Sequence, residues 1–360
     1  MNVLIRDKTP HICIVGNGWW GKGLREALVS RNYNFTVLTS KSQLSDIQRV
    51  GCDMVFECTG EPNICKDVAD ICLDRRINLM TVNSEFDSHY GTQYYEMFNT
   101  QDLSYSMCIG DQPGSLVKMR NEIDTMGFTP TVFGICKGFE DKYQTPEGVQ
   151  QWVKGEQQSD KICSFADGTK LNIEACVICN SADATPDVRG MHGLNCTRDE
   201  LVDAFSRLSL KPKIVDYTLG VKGINQEAGI FIIAKLKQPS SKFTEDMKYL
   251  KMGNGPHYLF FKDYHLCYFE AVESVVKLAE YNIPGVESKY ENADVATIAK
   301  RNLKKGEVIG GIGSEHVYGE VDTVHNIDDA EIIPIALCKN MKLKYDIAKD
   351  TAVTLDMICI

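Results

Sequence analysis

Lysines and carboxylates occur together at two points where reactive groups could lie. The lysines are Lys137, Lys142 and Lys170, and the carboxylates are Asp167 and Glu174. A cation or an acid beside a carbonyl oxygen stabilises the negative charge that develops there when the carbonyl is reduced. We therefore expect one lysine to act as acid or base, while the carboxylates bind substrate hydroxyls, hold a divalent ion or orient a lysine. Alternatively, Asp167 only caps a helix, and Lys170 and Glu174 form an i,i+4 pair on a solvated helix face.

An arginine and a histidine flanked by glycines follow a proline-containing loop further along the chain. The segment reads Arg189-Gly190-Met191-His192-Gly193. Arg189 and His192 could clamp a phosphate or donate a proton, and the alternative is a structural loop. Two other histidines, His257 and His265, flank an apolar run and are expected to be core or edge side chains.

The elements that would hold such a site begin with a glycine-rich turn. The apolar run 12–15 leads into Gly16-Asn17-Gly18-Trp19-Trp20-Gly21, which has the Gly-x-Gly-x-x-Gly spacing of dinucleotide-binding turns. The first glycine permits a tight turn, the second lets the backbone approach a pyrophosphate, and the third lets the helix pack against the strand. We expect the turn to bind a dinucleotide through Gly16, Gly18, Trp19, Trp20 and Gly21. The alternative is a turn that only packs.

The next predicted strand indicates which dinucleotide is bound. The run Phe35–Leu38 ends in Thr39-Ser40-Lys41, where a ribose-binding carboxylate is expected. Two hydroxyls and an ammonium suit a 2′-phosphate better than a ribose hydroxyl pair. The sequence thus favours NADP, held by Thr39, Ser40 and Lys41, unless residues 40–42 merely begin the next helix.

Two later strands also end in polar or glycine residues. A strand within residues 51–60 ends at Thr59-Gly60, and the run 77–83 is followed by Ser84 and Glu85. Open α/β sheets bind ligands at the carboxyl ends of their strands. We expect Thr59, Gly60, Asn83 and Glu85 to contact the cofactor.

Composition limits the class of protein. The chain has 360 residues, a net charge of −10 and 43% hydrophobic residues, which is typical of a globular enzyme of two or three domains. The negative charge argues against nucleic acid as the main partner, and no apolar run approaches the roughly 20 residues of a membrane span. The amino terminus lacks the apolar segment of a signal peptide, so we expect a cytoplasmic protein.

The fourteen cysteines of the chain are consistent with a cytoplasmic location. Most lie in apolar runs, as do Cys13, Cys58, Cys72 and Cys267, and buried thiols in a reducing compartment explain them. The pair Cys176-x-x-Cys179 lies in a predicted helix without a second pair, so we expect core packing rather than zinc or redox chemistry.

The order of the predicted elements favours an α/β fold in three parts. Residues 1–125 are predicted to form a Rossmann dinucleotide-binding domain, and a helix at 264–280 is expected to pack back on it. Residues 126–286 are predicted to form an α+β substrate and dimerisation domain. From residue 287 to 360 the pattern changes to short strands around Lys304 and Lys305 and a similar β unit at 343–354. Those two lysines could contact a phosphate or sugar, or form a solvated turn.

Several motifs together resemble the homoserine-dehydrogenase-like oxidoreductases that carry a C-terminal SAF domain. The matching segments are Phe56–Gly60, Val82–Glu85, Gly110-Asp111-Gln112-Pro113, Lys137-Gly138, Lys142-Tyr143, Asp167–Lys170, Arg189–His192 and Gly255–Leu259. The chain is most similar to a branch that resembles an alternative deoxyxylulose-phosphate reductoisomerase using NADPH and a divalent metal. Its spacing between Lys137 and Lys142 differs from that branch, which leaves the substrate open.

The resemblance implies a small phosphorylated or sugar-like substrate and a homodimer or higher homo-oligomer. It also places Asp111, Gln112, Arg189 and His192 at the substrate. Together with the residues above, it predicts an NADP-dependent oxidoreductase acting on the carbonyl or alcohol of a small polyol, keto-sugar or sugar phosphate. The alternatives are a reductoisomerase, homoserine dehydrogenase, or a sensor that binds NADPH without catalysis.

Overall fold

The computed structural model describes residues 9–155, 157–208, 212–220 and 229–359. The chain forms two compact units. The first is built from the chain up to Lys118 together with His265–Tyr290, and the second from Met119–Tyr264 and the chain from Glu291 onward. Each unit carries its own sheet, so each can be described by itself.

Helices and strands alternate through both units. The helices are α1 (Trp19–Val29), α2 (Ile47–Val50), α3 (Pro62–Arg75), α4 (Ser84–Asn99), α5 (Gln112–Thr125), α6 (Ser159–Ala166), α7 (Thr169–Ala182), α8 (Leu201–Ser206), α9 (Ser241–Tyr249), α10 (Tyr268–Tyr281) and α11 (Val324–Asp329). The strands are β1 (His11–Val15), β2 (Asn34–Leu38), β3 (Met54–Glu57), β4 (Asn78–Thr81), β5 (Tyr105–Met107), β6 (Phe128–Cys136), β7 (Thr185–Pro186), β8 (Ile214–Thr218), β9 (Ile230–Leu236), β10 (His257–Lys262), β11 (Ala293–Ala299) and β12 (Val317–Thr323). Short 3₁₀ helices cover Leu44–Asp46, Gln150–Trp152, Arg198–Glu200 and Leu355–Met357.

The first unit is a parallel sheet covered by helices on both faces. Its strand order is β2-β1-β3-β4-β5, and every neighbouring pair is parallel. One face packs Ile12 and Ile14 of β1 against α1 and α10, and the other packs Cys13 and Val55 against α3 and α4. Burial on both faces explains why these strands are continuous apolar runs. The predicted Rossmann-type α/β class is confirmed.

The second unit is built on a mixed sheet of order β10-β9-β6-β8-β7. Strands β6, β7 and β8 are parallel to one another, whereas β9 runs antiparallel to both β6 and β10. Strands β11 and β12 form a separate antiparallel pair near the carboxyl terminus. The α+β character predicted for this half and the β-rich tail are both confirmed.

Helix α7 lies at the centre of the second unit, and every one of its residues is buried. It contacts β8 as well as β11 and β12. Thr169 Oγ1 and Asn172 Oδ1 accept hydrogen bonds from the backbone N–H groups of Gly319 and Val321, each at 2.9 Å. The polar residues of α7 therefore satisfy the backbone of β12, and the solvated helix face considered from the sequence is wrong.

The same packing explains where the domain limits differ from the expected ones. The tail from residue 291 clusters with the middle of the chain instead of forming a third body, because β11 and β12 cover α7. Its long strands lie at residues 293–299 and 317–323, whereas Leu303, Val308 and Ile347 form only isolated bridges. Helix α10 begins at Tyr268 and clusters with the first unit.

Most cysteines are buried free thiols, including Cys176 and Cys179. Cys267 is an exception, because it caps α10 and is only half-buried. Within the described ranges, the helices lack the combination of length and apolarity that crossing a membrane requires.

Candidate active site

The glycine-rich turn of the first unit has the geometry that its spacing predicts. Gly16 adopts φ of 118°, a conformation that side-chain-bearing residues rarely reach. A Cβ atom on Gly21 would lie 2.2 Å from the Gly16 carbonyl oxygen, so only glycine lets α1 approach the turn this closely. Both glycines are therefore required by the fold of the turn itself.

The amino terminus of α1 fits the pyrophosphate of a dinucleotide. Gly18 caps the helix without a side-chain hydrogen bond, and the first turn contains no acidic residue. A Cβ atom on Gly18 would have nothing within 4 Å, so the backbone there is open to an approaching anion. Next to it, the Trp19 side chain is 63% exposed and lies edge-on to Tyr268, with ring centroids 5.0 Å apart.

The residues expected at a 2′-phosphate form a turn directly after β2. Thr39 N–H donates to Ser42 Oγ at 3.1 Å, and Lys41 N–H donates to Thr39 Oγ1 at 3.2 Å. Ser40 and Lys41 are exposed. The next helical segment begins only at Leu44, so the alternative in which residues 40–42 begin a helix is wrong.

A buried carboxylate that sequence reasoning missed organises the ends of β3 and β4. Glu57 is fully buried and accepts hydrogen bonds from Thr59 N–H at 2.6 Å, Thr59 Oγ1 at 2.5 Å and Thr81 Oγ1 at 2.7 Å. Thr81 Oγ1 in turn accepts from Asn83 N–H at 2.9 Å. Glu57 therefore fixes the turn at Thr59-Gly60 and the start of α4. The position of Glu57 within the apolar run 54–58 was the sequence signal that could have identified it as a buried carboxylate.

Asn83 has an unsatisfied donor at this strand end. Its Oδ1 accepts from Phe86 N–H at 3.1 Å and caps α4, while its buried Nδ2 has no hydrogen-bond partner. Glu85 follows in the first turn of α4. Asp111 and Gln112 lie at the start of α5, where Asp111 Oδ1 accepts from Gln112 N–H at 3.1 Å. Asp111 also lies 3.9 Å from His265 Nε2.

In the second unit, Lys137 follows β6 and its ammonium group donates to the carbonyl oxygen of Phe165 at 2.6 Å. Burial lowers the pKa of Lys137 below its usual range, although the charges of Glu174, Glu140 and Asp167 oppose that shift. The nearby Lys170 lowers it further. Lys137 is thus a lysine beside several carboxylates whose proton is held less tightly than usual.

Lys142 lies on the same loop and is paired with a residue of β12. Its Nζ donates to Glu320 Oε1 at 2.6 Å. Burial acts to lower the pKa of Lys142, but the hydrogen bond and charge of Glu320 outweigh it and raise the pKa. Lys142 therefore keeps its proton and acts as a fixed cation.

Lys170 and Glu174 form a buried pair on α7. Their Nζ and Oε1 atoms are 3.8 Å apart, and the side chains are 9% and 6% exposed. The i,i+4 relation predicted from the sequence is present, but it lies inside the unit. Charged groups this deeply buried are rarely found without a specific role in structure or function.

Asp167 forms an ion pair with Lys300 that the sequence did not indicate. Its carboxylate accepts from Lys300 Nζ at 2.8 Å and from Thr169 N–H at 2.8 Å. Lys300 Nζ also donates to the carbonyl oxygens of Gln144 at 2.7 Å and Ser314 at 2.6 Å. Asp167 thus holds the α6–α7 junction to the tail, and the cap of α7 is Gly168 rather than Asp167.

Arg189 and His192 are also paired with carboxylates. Arg189 Nε donates to Asp322 Oδ2 at 2.6 Å, and His192 Nε2 lies 2.9 Å from Asp187 Oδ2. The backbone N–H groups of His192 and Gly193 donate to Asp216. Burial raises the pKa of Asp216 despite these hydrogen bonds. The segment 189–193 is therefore an ordered loop anchored on β8 and β12.

Glu140 and Tyr217 complete the cluster and were not among the expected residues. Tyr217 Oη donates to Glu140 Oε2 at 2.5 Å, and burial together with the Glu140 charge raises the pKa of Tyr217. A Cβ atom on Gly168 would lie 2.3 Å from Glu140 Oε1, so the glycine admits this carboxylate. Asp216, an acid within the otherwise largely apolar β8, was the available signal for this part of the site.

The proposed carboxylate ligands do not suit a divalent ion. Asp167 faces the ammonium of Lys300, and Glu174 faces that of Lys170, and these cations would repel a metal. In the described parts of the chain, no group of three or more His, Cys, Asp or Glu side chains could hold a metal ion.

One family model matches part of the chain. Residues 110–271 match the family described as "Oxidoreductase DRL, catalytic domain". Among curated proteins, no sequence matches this chain.

Several solved dehydrogenase and reductase structures align with the chain. A homoserine dehydrogenase of a hyperthermophilic archaeon in complex with NADPH aligns at 11% identity over 78% of this chain and 100% of its own, with a TM-score of 0.46. A dipicolinate-bound dihydrodipicolinate reductase from Paenisporosarcina sp. TG-14 aligns at 11% identity over 77% and 97%, with a TM-score of 0.41. A probable dehydrogenase from Thermotoga maritima aligns at 12% identity over 78% and 91%, with a TM-score of 0.41.

The fold and the family match define the class of protein. The first unit is a parallel sheet with a dinucleotide-binding turn. The segment 110–271, which matches an oxidoreductase catalytic domain, contains the lysine–carboxylate cluster apart from Lys300, Glu320 and Asp322. The protein is an NAD(P)-dependent oxidoreductase.

Proposed function

We propose that the protein is an NADP-dependent oxidoreductase that acts on the carbonyl or alcohol of a small polyol, keto-sugar or sugar phosphate. The observation that carries this proposal is Lys137, a lysine of lowered pKa beside Lys170 and three carboxylates. Such a group can both donate and accept a proton near its own pKa. Lys142, whose pKa is raised by the hydrogen bond and charge of Glu320, keeps its proton and supplies positive charge.

The proposed division of roles follows from the contacts of each lysine. Lys137 donates a proton to the substrate oxygen during reduction and removes it during oxidation. Lys170, buried against Glu174, stabilises the charge on that oxygen. Lys142, fixed by Glu320, and the carboxylate of Glu140 bind substrate hydroxyls.

The first unit would hold the nicotinamide cofactor. The helix end at Gly18 suits the pyrophosphate, and the exposed turn at Thr39, Ser40 and Lys41 suits a 2′-phosphate. The unsatisfied Asn83 Nδ2 is a further donor for the cofactor. When bound, the nicotinamide supplies or accepts the hydride.

The test is NADPH oxidation by the purified protein with Lys170→Met. We expect turnover to be abolished while the NADPH dissociation constant stays within a few-fold, because Lys170 belongs to the substrate cluster. Lys242→Met is the matched control, since Lys242 is an exposed lysine paired with Asp246. Full turnover by Lys170→Met would contradict the assignment.

We further propose a cytoplasmic homodimer with a small-molecule substrate. Light scattering of the protein as it elutes from a size-exclusion column measures the oligomeric state. Product analysis separates the proposed activity from homoserine oxidation and from a reductoisomerase, since only the latter rearranges the carbon skeleton. NADPH binding without turnover of any substrate would favour a sensor.

A further inference from the structure

We propose that the substrate is a neutral, unphosphorylated ring-form polyol or sugar, bound through its hydroxyls and through one apolar ring face. This inference rests on the proposed function and specifies its substrate. Two features of the second unit carry it: the charge balance of the lysine cluster and an exposed group of aromatic rings beside Lys137.

Four cations of the cluster each face a carboxylate. Among the described residues, the pairs are Lys142–Glu320, Lys170–Glu174, Lys300–Asp167 and Arg189–Asp322, with separations of 2.6, 3.8, 2.8 and 2.6 Å. Lys137 is influenced by the charges of Glu174, Glu140 and Asp167. The cluster thus has no excess positive charge with which to attract a phosphate, which carries about −1.5 to −2 charges.

The mixture of ammonium and carboxylate groups in the cluster suits the hydroxyl groups of a substrate. An ammonium group only donates hydrogen bonds and a carboxylate only accepts them, whereas a hydroxyl does both. A substrate with several adjacent hydroxyls can therefore accept from Lys137 or Lys142 and donate to Glu140 or Glu174 without a charge of its own. A polyol matches this array, and a phosphate, which is mainly an acceptor, does not.

Aromatic rings lie directly beside the cluster. Phe165, whose carbonyl binds Lys137, is 48% exposed, and Lys137 Nζ lies 5.8 Å from its ring centroid. Phe139 is 47% exposed and lies edge-on to Trp152 with centroids 5.4 Å apart. Asp141 N–H donates to the Ala166 carbonyl at 2.9 Å, which holds the loop of Phe139 against the end of α6. Exposed apolar groups beside convergent polar ones are typical of a ligand site.

The aromatic rings specify a cyclic substrate. A pyranose or cyclitol ring presents a rigid face of C–H groups that can cover an aromatic side chain and remove its apolar surface from water. An open-chain polyol has the same hydroxyls but no rigid face. Phe139 and Phe165 therefore favour a cyclic substrate over an open-chain polyol of the same charge and the same number of hydroxyls.

The experiment compares matched substrates in NADP reduction by the full chain. The first pair is myo-inositol against sorbitol, which tests ring against chain. The second pair is glucose against glucose 6-phosphate, which tests the phosphate. We expect kcat/KM to be at least about tenfold higher for the ring and for the unphosphorylated sugar. A higher kcat/KM with the phosphate, or equal values for myo-inositol and sorbitol, would overturn the inference and leave the proposed activity intact.

Two variants test the aromatic contact. Phe165→Ala and Phe139→Ala should each raise KM for the ring substrate about tenfold with little change in kcat, since a stacked ring contributes up to about one power of ten in affinity. Phe243→Ala is the control, because Phe243 is 50% exposed on α9 and lies outside the cluster. Equal KM values in all three variants would contradict the proposed contact.

If no substrate is turned over, a binding measurement separates the proposed oxidoreductase activity from the proposed site for a ring-form polyol. Calorimetric titration of the chain with myo-inositol should show binding that Phe165→Ala weakens. That result without turnover would contradict the proposed activity and support the ring site, whereas no heat of binding would overturn the inference as well.

Discussion

At the scale of single residues, Lys137 determines how activity should depend on pH. Burial lowers its pKa below the ordinary lysine value of 10.5. Reduction of a carbonyl needs the protonated lysine, so its rate should fall as the pH rises through that lowered pKa. Oxidation of the alcohol needs the neutral lysine, so its rate should rise over the same range. The pH–rate profiles in the two directions measure both slopes.

Lys137→Arg is the control for this assignment. Arginine keeps the positive charge but does not lose its proton in an accessible pH range. The variant should therefore lose the alkaline pH dependence along with most of its activity. Unchanged profiles in the variant would show that another group carries the proton.

The types of the site residues could be predicted from the sequence, but their partners could not. Lys137 and Lys170 were predicted because they stand beside a strand end and a glycine turn. Glu320 contacts Lys142 from 178 residues away, and Lys300 contacts Asp167 from 133 residues away. No local pattern encodes such pairs, because they arise only when β11 and β12 pack on α7.

At the scale of secondary-structure elements, substitution of two glycines of one turn by alanine should have different effects, one on stability and the other on NADPH affinity. A Cβ atom on Gly21 would clash with the Gly16 carbonyl, whereas one on Gly18 meets nothing. Gly21→Ala should thus lower the melting temperature. Gly18→Ala should change it little but raise the NADPH dissociation constant at least about tenfold, because its methyl group occupies the space assigned to the pyrophosphate. Thermal unfolding and NADPH titration test the pair, and equal NADPH affinity in Gly18→Ala and the unmodified chain would contradict the assigned turn.

Helix α4 carries a pH-sensitive contact within the first unit. Asp87 accepts hydrogen bonds from Tyr105 Oη at 2.7 Å and Ser288 Oγ at 2.6 Å. Burial raises its pKa from 3.8 to about 6, although these hydrogen bonds oppose the shift. Between those values the folded chain holds a proton that the unfolded chain releases. The stability of the fold should therefore fall as the pH rises from 4 to 6.

Asp87→Asn isolates this effect, because asparagine does not titrate. The unfolding free energy of the unmodified chain minus that of Asp87→Asn should decrease by about 2 kcal/mol between pH 4 and pH 7. Urea unfolding at several pH values measures the difference. A difference that does not change with pH would show that Asp87 ionises normally.

At the scale of the whole molecule, each unit is assembled from two separate segments of chain. The alternation of strands and helices predicted the first sheet and the return of α10. It did not predict that the tail joins the middle segment, because short strands with polar turns have the same pattern in an independent domain. The fully buried α7 was the missing information, and its sequence contains Lys170, Asn172, Glu174 and Asn180, which read as polar positions.

The Lys300–Asp167 pair joins the two segments of the second unit. Both side chains are at most 2% exposed, so removing one partner leaves a buried charge. Lys300→Met should lower the unfolding free energy by about 3 kcal/mol or more. The double variant Lys300→Met with Asp167→Asn should recover part of that loss. Urea unfolding of both variants checks the prediction, and an unchanged stability of Lys300→Met would contradict it.

The return of α10 to the first unit also has a consequence for synthesis on the ribosome. Ala271, Val272 and Val275 of α10 complete the core around Ile12 and Leu24, yet they are made about 155 residues after Lys118. At about 5–20 residues per second, the part of this apolar face that α10 covers stays exposed for roughly 8–30 s. This interval makes the growing chain a natural client for chaperones that bind nascent polypeptides, and it would disappear in a circular permutant in which α10 precedes β1.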